Sequence, residues 1–257
     1  MIDRDFTLNL YKELLENAIL DGYQVISVEK YFTHEFDNSK IIILRHDVDR
    51  KPINSFLIAQ IEKELNIRAT YYFRILSCSN NPNIIRKIAS LGHEIGYHYE
   101  DLALSKGNFN IAIRNFEKNL KYFRQYYPIK TICMHGSPLS KWDNKLLWQK
   151  YNFSDYGLIA EPFLNIDYNE FMYISDTGRK WNNNHSNLRD NIVGQNFISN
   201  SSTLNLINKL KQADFPAKIH ITTHPQRWNN KLAPWLTELL GQNIKNIIKQ
   251  GIKNFRK

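Results

Sequence analysis

The sequence predicts an α/β fold in which about seven β/α units form a distorted parallel barrel. Three observations support this prediction. Strand and helix patterns alternate along the 257 residues. The apolar run at residues 41–44 is typical of a strand buried on both faces, as in parallel sheets. Several predicted strands end in ionisable side chains, at the edge where α/β folds place their sites. No linker, repeat or low-complexity run divides the chain, so we expect a single domain over residues 1–257.

The first half of the chain carries clear helix and strand signals. Apolar residues at helical spacing predict a helix from Leu8 to Ile19, with Thr7 as its N-cap and Gly22 beyond its end. A short strand at 24–28 and a small helix precede the central strand. Pro52 then opens an amphipathic helix whose predicted buried face consists of Leu57, Ile58, Ile61 and Leu65.

The alternation continues to the end of the chain. The remaining predicted elements are strands at 69–74, 93–97, 129–134, 156–160, 171–175 and 217–223, and helices at 84–91, 111–123 and 235–248.

Composition sets limits on partners and compartment. The net charge of +9 suits an anionic partner such as an acidic or nucleotide-linked sugar, a membrane surface or nucleic acid. The basic residues are scattered and no nucleic-acid motif accompanies them, so the sequence favours a solvated basic surface.

The two cysteines, Cys78 and Cys133, are isolated and show neither the CxxC spacing of a zinc site nor a disulfide pattern. The N-terminal residues do not resemble a signal peptide and no apolar run reaches the length of a membrane span, so a cytoplasmic protein is expected.

The central strand runs directly into charged residues. Asp47 and Asp49 are two positions apart, so in an extended chain both side chains leave the same side of the strand. Two carboxylates that close persist if a cation lies between them, if one is protonated, or if both point into water. With Arg45 and His46 beside them, a metal or acid–base site is favoured over a solvated turn.

Other predicted strands also deliver polar groups to their ends, and together these side chains suggest metal-assisted hydrolysis. The set consists of Asp47, Asp49, Arg74, His98 with Asp101, His135, Glu161, Asp176 and His224.

Five segments resemble the NodB-like polysaccharide deacetylases, which form carbohydrate esterase family 4. They are RHDVDRKP at 45–52, GHEIGYHYED at 92–101, MHGSP at 134–138, SDTGRKW at 175–181 and TTHPQRW at 222–228. The resemblance covers nearly the whole chain and marks it as a divergent member. It implies the distorted barrel of about seven units that the family shares, in agreement with the count of elements.

The resemblance also implies residue roles. Asp49 and His98 would be metal ligands, with Asp101 standing where the family has a second histidine. Asp47 would be the catalytic base, and His224, oriented by Asp176, the catalytic acid. The arginine that orients the base in the family could be Arg45, Arg74 or Arg179. The expected substrate-binding residues are His135, Arg74, Arg179, Trp181 and Trp228.

The function implied is metal-dependent removal of an N-acyl group, typically acetyl, from an amino sugar or a polysaccharide precursor. The expected cofactor is a divalent metal ion, zinc first, with manganese, iron or cobalt as alternatives. Two other functions are compatible with the sequence. One is hydrolysis of another small amide C–N bond, and the other is a non-catalytic barrel that has lost its metal.

Overall fold

The computed structural model describes residues 4–36, 40–182 and 201–255, with side chains in the last helix as far as residue 247. In chain order the elements are α1 (Leu8–Leu20), β1 (Gln24–Ile26), α2 (Val28–Thr33), β2 (Ile41–Val48), α3 (Pro52–Glu64), β3 (Thr70–Phe73), α4 (Pro82–Ser90), β4 (Glu94–Tyr99), α5 (Asp101–Leu104), α6 (Phe109–Phe123), β5 (Ile132–Met134), α7 (Leu147–Lys150), α8 (Pro162–Asn165), β6 (Met172–Ser175), α9 (Thr203–Leu210), β7 (Lys218–Thr223) and α10 (Leu232–Phe255).

The seven strands form one parallel sheet, as expected of an α/β fold. Its strand order is β5-β4-β3-β2-β7-β6. The short strand β1 pairs with residues 41–43 of β2, along the same edge of β2 that pairs with β3 at residues 45–48. The central strand of the sequence is therefore central in the sheet. Asp49, which follows β2 directly, lies at the carboxyl edge, with β3 and β7 on either side.

The sheet is strongly curled. His135 follows β5 and His224 follows β7, yet both imidazoles lie within 4 Å of the Asp49 carboxylate. In a flat sheet, β5 and β7 would be about 19 Å apart, because three strands lie between them. Curling is therefore what gathers the strand ends into one site.

Side chains of β2 alternate between two apolar layers. Ile41 and Ile43 pack inside the curl with Tyr72 and Cys133, whereas Ile42 and Leu44 pack outward against the helices. The alternation matches the two-residue period of a strand. It also directs Arg45, Asp47 and Asp49 into the interior, above the apolar residues of the same strand.

A buried carboxylate fixes α3 to the outer face of the sheet. Glu62 accepts hydrogen bonds from Tyr11 in α1 and Tyr71 in β3, each at 2.5 Å, and lies 2.7 Å from Nε2 of His46. Burial raises the pKa of Glu62, but His46 and the hydroxyl donors outweigh that effect and lower it. His46 thus belongs to the outer layer.

Most predicted elements are present at nearly the expected bounds, and α1 begins as predicted, with Thr7 Oγ1 accepting from Leu10 N at 3.2 Å. The strand predicted at 156–160 is wrong. Residues Phe153–Tyr156 form a 3-10 turn ended by Gly157 with φ of +68°, and only Ala160 makes a parallel bridge, to Thr131. Consequently, within the described residues, no continuous ladder joins the edge strands β5 and β6 into a closed barrel.

Two further sequence predictions differ from the structure. Leu57 was expected on the buried face of α3 but is exposed, because that helix turns Ile58, Ala59 and Glu62 toward the sheet. The helix α9, capped by Ser202, was not predicted, and neither were the short helices α5, α7 and α8. No helix in the described part of the chain is both long and apolar enough to cross a membrane.

Candidate metal centre and active site

Three imidazoles surround the carboxylate of Asp49 at the carboxyl edge of the sheet. Nε2 of His135 lies 3.5 Å from Oδ1, and Nε2 of His98 lies 3.7 Å from the same oxygen. Nε2 of His224 lies 3.9 Å from Oδ2. The histidines come from β4 and from the residues that follow β5 and β7. One carboxylate therefore faces the same ring nitrogen of three histidines.

The other nitrogen of each imidazole contacts an oxygen. Nδ1 of His98 lies 2.9 Å from the carbonyl of Cys133, and Nδ1 of His135 lies 3.0 Å from Oγ of Ser137 and 3.1 Å from Oε2 of Glu100. Nδ1 of His224 lies 2.6 Å from Oδ1 of Asp176. Carbonyl and carboxylate oxygens accept hydrogen bonds, so these contacts favour a proton on Nδ1. In the neutral form of such an imidazole the lone pair is on Nε2, the nitrogen that faces Asp49.

Burial and charge shift the pKa values of His98 and Asp49. Burial lowers the pKa of His98 to about 4, against the opposing effect of Asp47, so the ring is neutral near pH 7. Burial also raises the pKa of Asp49, but the nearby His135, His224 and His98 outweigh it, and the pKa lies below its ordinary value. A carboxylate that faces imidazole nitrogens is a typical ligand environment for a divalent ion.

Glu100 holds His135 in place. Arg74 donates to both oxygens of Glu100, from Nε at 2.7 Å and from Nη2 at 2.8 Å. Burial would raise the pKa of Glu100, but His135 and Arg74 lower it to about 2. A carboxylate that receives Nδ1–H of a ligand histidine fixes its ring and raises its basicity.

Asp47 lies below Asp49 and is almost completely buried. Its Oδ2 is 3.2 Å from Nη2 of Arg45 and 3.8 Å from Nε2 of His98. Its Oδ1 has no hydrogen-bond partner in the part of the chain that the structure describes. Of the three arginines that the sequence left open, Arg45 contacts Asp47, whereas Arg74 pairs with Glu100 and Arg179 donates to the carbonyl of Arg227 at 3.1 Å.

Asp176 is a buried carboxylate that orients His224. Besides the imidazole, it accepts hydrogen bonds from His224 N at 3.0 Å, from Trp228 Nε1 at 3.0 Å and from Arg227. Arg227 Nη1 also lies 2.8 Å from His224 Nδ1, but the shorter carboxylate contact decides the tautomer. Burial raises the pKa of Asp176, but Arg227 and His224 have a larger opposite effect and lower it, so the carboxylate is ionised.

The residues around Asp49 fit a divalent metal ion. Two ligands of a tetrahedral ion, each about 2.1 Å from it, stand about 3.4 Å apart. The distances from Asp49 Oδ1 to His135 and His98 are close to this value. Asp49 Oδ1 is also buried without a hydrogen-bond partner among the described residues, as expected of an atom whose partner is an ion.

A second group of potential ligands lies deeper. Atoms of Asp47, His98 and Cys133 all lie within 4.8 Å of one another. Arg45 contacts the same Asp47 oxygen that faces His98, and its positive charge opposes a cation there. Among the residues that the structure describes, only this deeper group has all its ligand atoms within 4.8 Å of one another. No lysine or arginine in that part of the chain forms an ion pair with Asp49, which faces three imidazoles, so we take the Asp49 position as the candidate.

The predicted ligand Asp101 lies elsewhere, and this expectation is corrected. Its carboxylate accepts from Tyr97 Oη at 2.8 Å and from Asn119 Nδ2 at 2.9 Å, on the outer side of the sheet. The chain leaves β4 at Tyr99 and turns into α5 at Asp101, which directs this side chain away from His98. His135, expected to bind substrate, faces Asp49 instead.

The prediction that Trp181 and Trp228 stack on a sugar is also corrected. Trp181 and Trp228 are both fully buried and pack on each other and on Phe6. Trp181 Nε1 donates to Thr203, and Trp228 Nε1 donates to Asp176. Neither ring offers a face to a sugar, and Trp228 instead helps to hold the residue that orients His224.

The sequence analysis did not predict the contacts that Glu100, Gln226 and Arg227 make at this site. Glu100 follows β4, and Gln226 and Arg227 follow His224 within three residues, so position after a strand was the available signal. Gln226 Nε2 lies 3.4 Å from Asp49 Oδ2.

In comparisons with known proteins, no family model and no curated protein matches this chain. The family resemblance of the five segments therefore stays a prediction.

Proposed function

We propose that this protein is a metal-dependent hydrolase that removes an N-acyl group from an amino sugar or a polysaccharide precursor. The observation that carries the proposal is the convergence of three Nε2 atoms on Asp49, next to the buried pair of Asp47 and Arg45. One site would then contain metal ligands, a general base and a general acid, which are the groups that amide hydrolysis needs. The five deacetylase-like segments support the choice of an N-acyl sugar as substrate.

Asp49, His98 and His135 would hold the ion, because Nε2 of each histidine faces Asp49 Oδ1 and their Nδ1 atoms contact Cys133 and Glu100. When bound, a divalent ion would polarise the scissile carbonyl and make water a better nucleophile near neutral pH. Zinc suits this set of two imidazoles and one carboxylate, and manganese, iron and cobalt also bind such ligands.

The acid–base steps fall to two other residues. Asp47 has one oxygen held by Arg45 and one without a partner among the described residues, so it can accept the proton of the attacking water. His224 lies on the other side of Asp49, and Asp176 stabilises its protonated form. The imidazolium would give its proton to the amine as the C–N bond breaks.

Metal content tests the proposal directly. Protein purified without chelator should carry a divalent ion, or bind one on reconstitution. Asp49→Ala, His98→Ala and His135→Ala should each lose most of it, because each removes one ligand. Asp101→Asn is the matched control and should keep the metal, since that carboxylate bonds to Tyr97 and Asn119. Asp47→Asn should keep the metal and lose turnover.

Two further measurements separate the alternatives. If Cys133→Ser removes the metal while His135→Ala retains it, the ion belongs to the deeper group and the Asp49 assignment is wrong. Amine release from N-acetylated sugars, compared with release from small amides, separates the deacetylase from a general amide hydrolase. A parent protein that neither carries nor gains metal would rule out the proposed function.

A further inference from the structure

The last helix, α10, has an unusual distribution of side chains. Its buried residues include Glu238 and Gln242, which are 3% and 4% exposed. Five large aliphatic residues, at spacings of four, four, four and three, are between 41% and 69% exposed; this α10 stripe consists of Leu232, Leu236, Leu240, Ile244 and Ile247. A helix on a water-exposed surface normally has the reverse arrangement. The stripe therefore indicates an interaction surface.

Polar contacts anchor α10 beside the candidate active site. Glu238 lies 2.7 Å from Nη2 of Arg50 and 3.4 Å from Nζ of Lys51, in the loop that follows Asp49. Asn246 donates to the carbonyl of Gly178 at 3.2 Å, in the loop that follows Asp176. Both loops lie at the carboxyl edge of the sheet. The stripe therefore lies on the outside of the same rim that carries the site.

The part of the sequence that contains the stripe is basic. The segment from residue 231 to the last residue contains six basic residues and one acid, and that acid is Glu238, already paired with Arg50 and Lys51. The whole chain carries a net charge of +9. Two copies meeting through this helix would bring like charges together, which disfavours a second copy of the chain as the partner. An anionic lipid surface complements both the apolar stripe and the charge.

We propose that α10 binds this chain to the surface of an anionic membrane, with the stripe in the boundary between headgroups and acyl chains. A helix of 24 residues is about 36 Å long and can lie along the interface over its whole length. The proposal does not depend on the hydrolase activity, because surface binding needs neither the metal nor turnover.

Vesicle sedimentation tests the proposal. The purified chain should bind vesicles of phosphatidylcholine mixed with phosphatidylglycerol, bind phosphatidylcholine alone much less, and dissociate at high salt. The double variant Leu236→Gln with Leu240→Gln should lower the partition coefficient at least about tenfold, because two aliphatic side chains no longer enter the membrane. Glutamine keeps the helix, since its helix propensity is close to that of leucine.

A matched control uses exposed leucines elsewhere. Leu20 and Leu139 are 82% and 75% exposed, and their double replacement by glutamine should leave vesicle binding unchanged. Equal binding of the parent and the α10 double variant would overturn the proposal, and so would equal binding to neutral and anionic vesicles. A parent that is dimeric by light scattering, does not bind vesicles, and becomes monomeric in the α10 variant would assign the stripe to self-association instead.

Discussion

At the residue scale, the clearest assignment is the pairing of His224 with Asp176. The carboxylate is buried and ionised, and it fixes the imidazole through both the ring and the backbone N–H. The ring itself reaches the rim, where Nε2 faces Asp49. Such a histidine can give up a proton without any rearrangement of its support, as a general acid must.

We therefore expect His224→Ala to lose roughly 10²- to 10⁴-fold in turnover while metal content and melting temperature stay near those of the parent. Thermal unfolding and amine release should be measured on the same sample. His34→Ala, at the exposed C-terminal end of α2, is the control and should change neither quantity. A His224→Ala protein that melts early and loses activity only in proportion to folded protein would assign the residue a structural role.

Most of the residues at this site were predicted from the sequence, but not all of them. Asp47, Asp49, His98, Asp176 and His224 follow or end predicted strands, and the structure places them at one rim. The third imidazole was not assigned as a ligand, because the proximity of His135 and His98 depends on β4 pairing with β5 in a particular register. Residue spacing along one strand cannot show that register. The family resemblance suggested Asp101 instead, where the chain has already turned into a helix.

At the element scale, Asp101 joins α5 to β4 and α6 through its bonds to Tyr97 and Asn119. Burial raises the pKa of this carboxyl to about 7. The folded state therefore keeps a proton that the unfolded chain releases above about pH 4. The contribution of Asp101 to stability is complete below about pH 4 and is lost as the pH rises towards 7.

Asp101→Asn should remove this pH dependence, since an amide stays neutral at every pH. Relative to the parent, the variant should gain stability between about pH 4 and about pH 7, by at most about 1.4 kcal/mol per pH unit. Urea unfolding at several pH values measures the difference. Asp155→Asn, on the exposed 3-10 turn, is the control. A difference that does not change with pH would show that Asp101 is ionised in the folded protein.

The elements that the sequence predicted well are those with strong local signals. The helix predicted at 84–91 is α4, with Ile84, Ile85 and Ile88 buried, and the buried stripe of α6 contains Ile113, Phe116 and Leu120. The segment at 156–160 was predicted incorrectly because its apolar residues also suit a turn that leads into α8. There, Gly157 and Pro162 decide the local conformation, rather than hydrophobicity.

At the scale of the whole molecule, the curled sheet and α10 place two different surfaces at one rim. The imidazoles and carboxylates around Asp49 face the interior of the curl, while the α10 stripe faces outward beside them. If both proposals hold, the membrane would carry the protein with its site close to the headgroups. An N-acylated sugar attached to a lipid phosphate would then be a better substrate than a sugar polymer in solution.

We expect the parent to hydrolyse a lipid-linked N-acetylated sugar in anionic vesicles at least about tenfold faster than the same sugar on a soluble nucleotide carrier, because binding to one surface raises the effective concentration. The α10 double variant, Leu236→Gln with Leu240→Gln, should lose this advantage while keeping the parental rate on the soluble carrier. Initial rates of amine release on both substrates, with the Leu20 and Leu139 double variant as control, measure the effect. Equal loss on both substrates would mean that the variant damages the site itself, and faster attack on polymer than on either carrier would exclude this class of substrate.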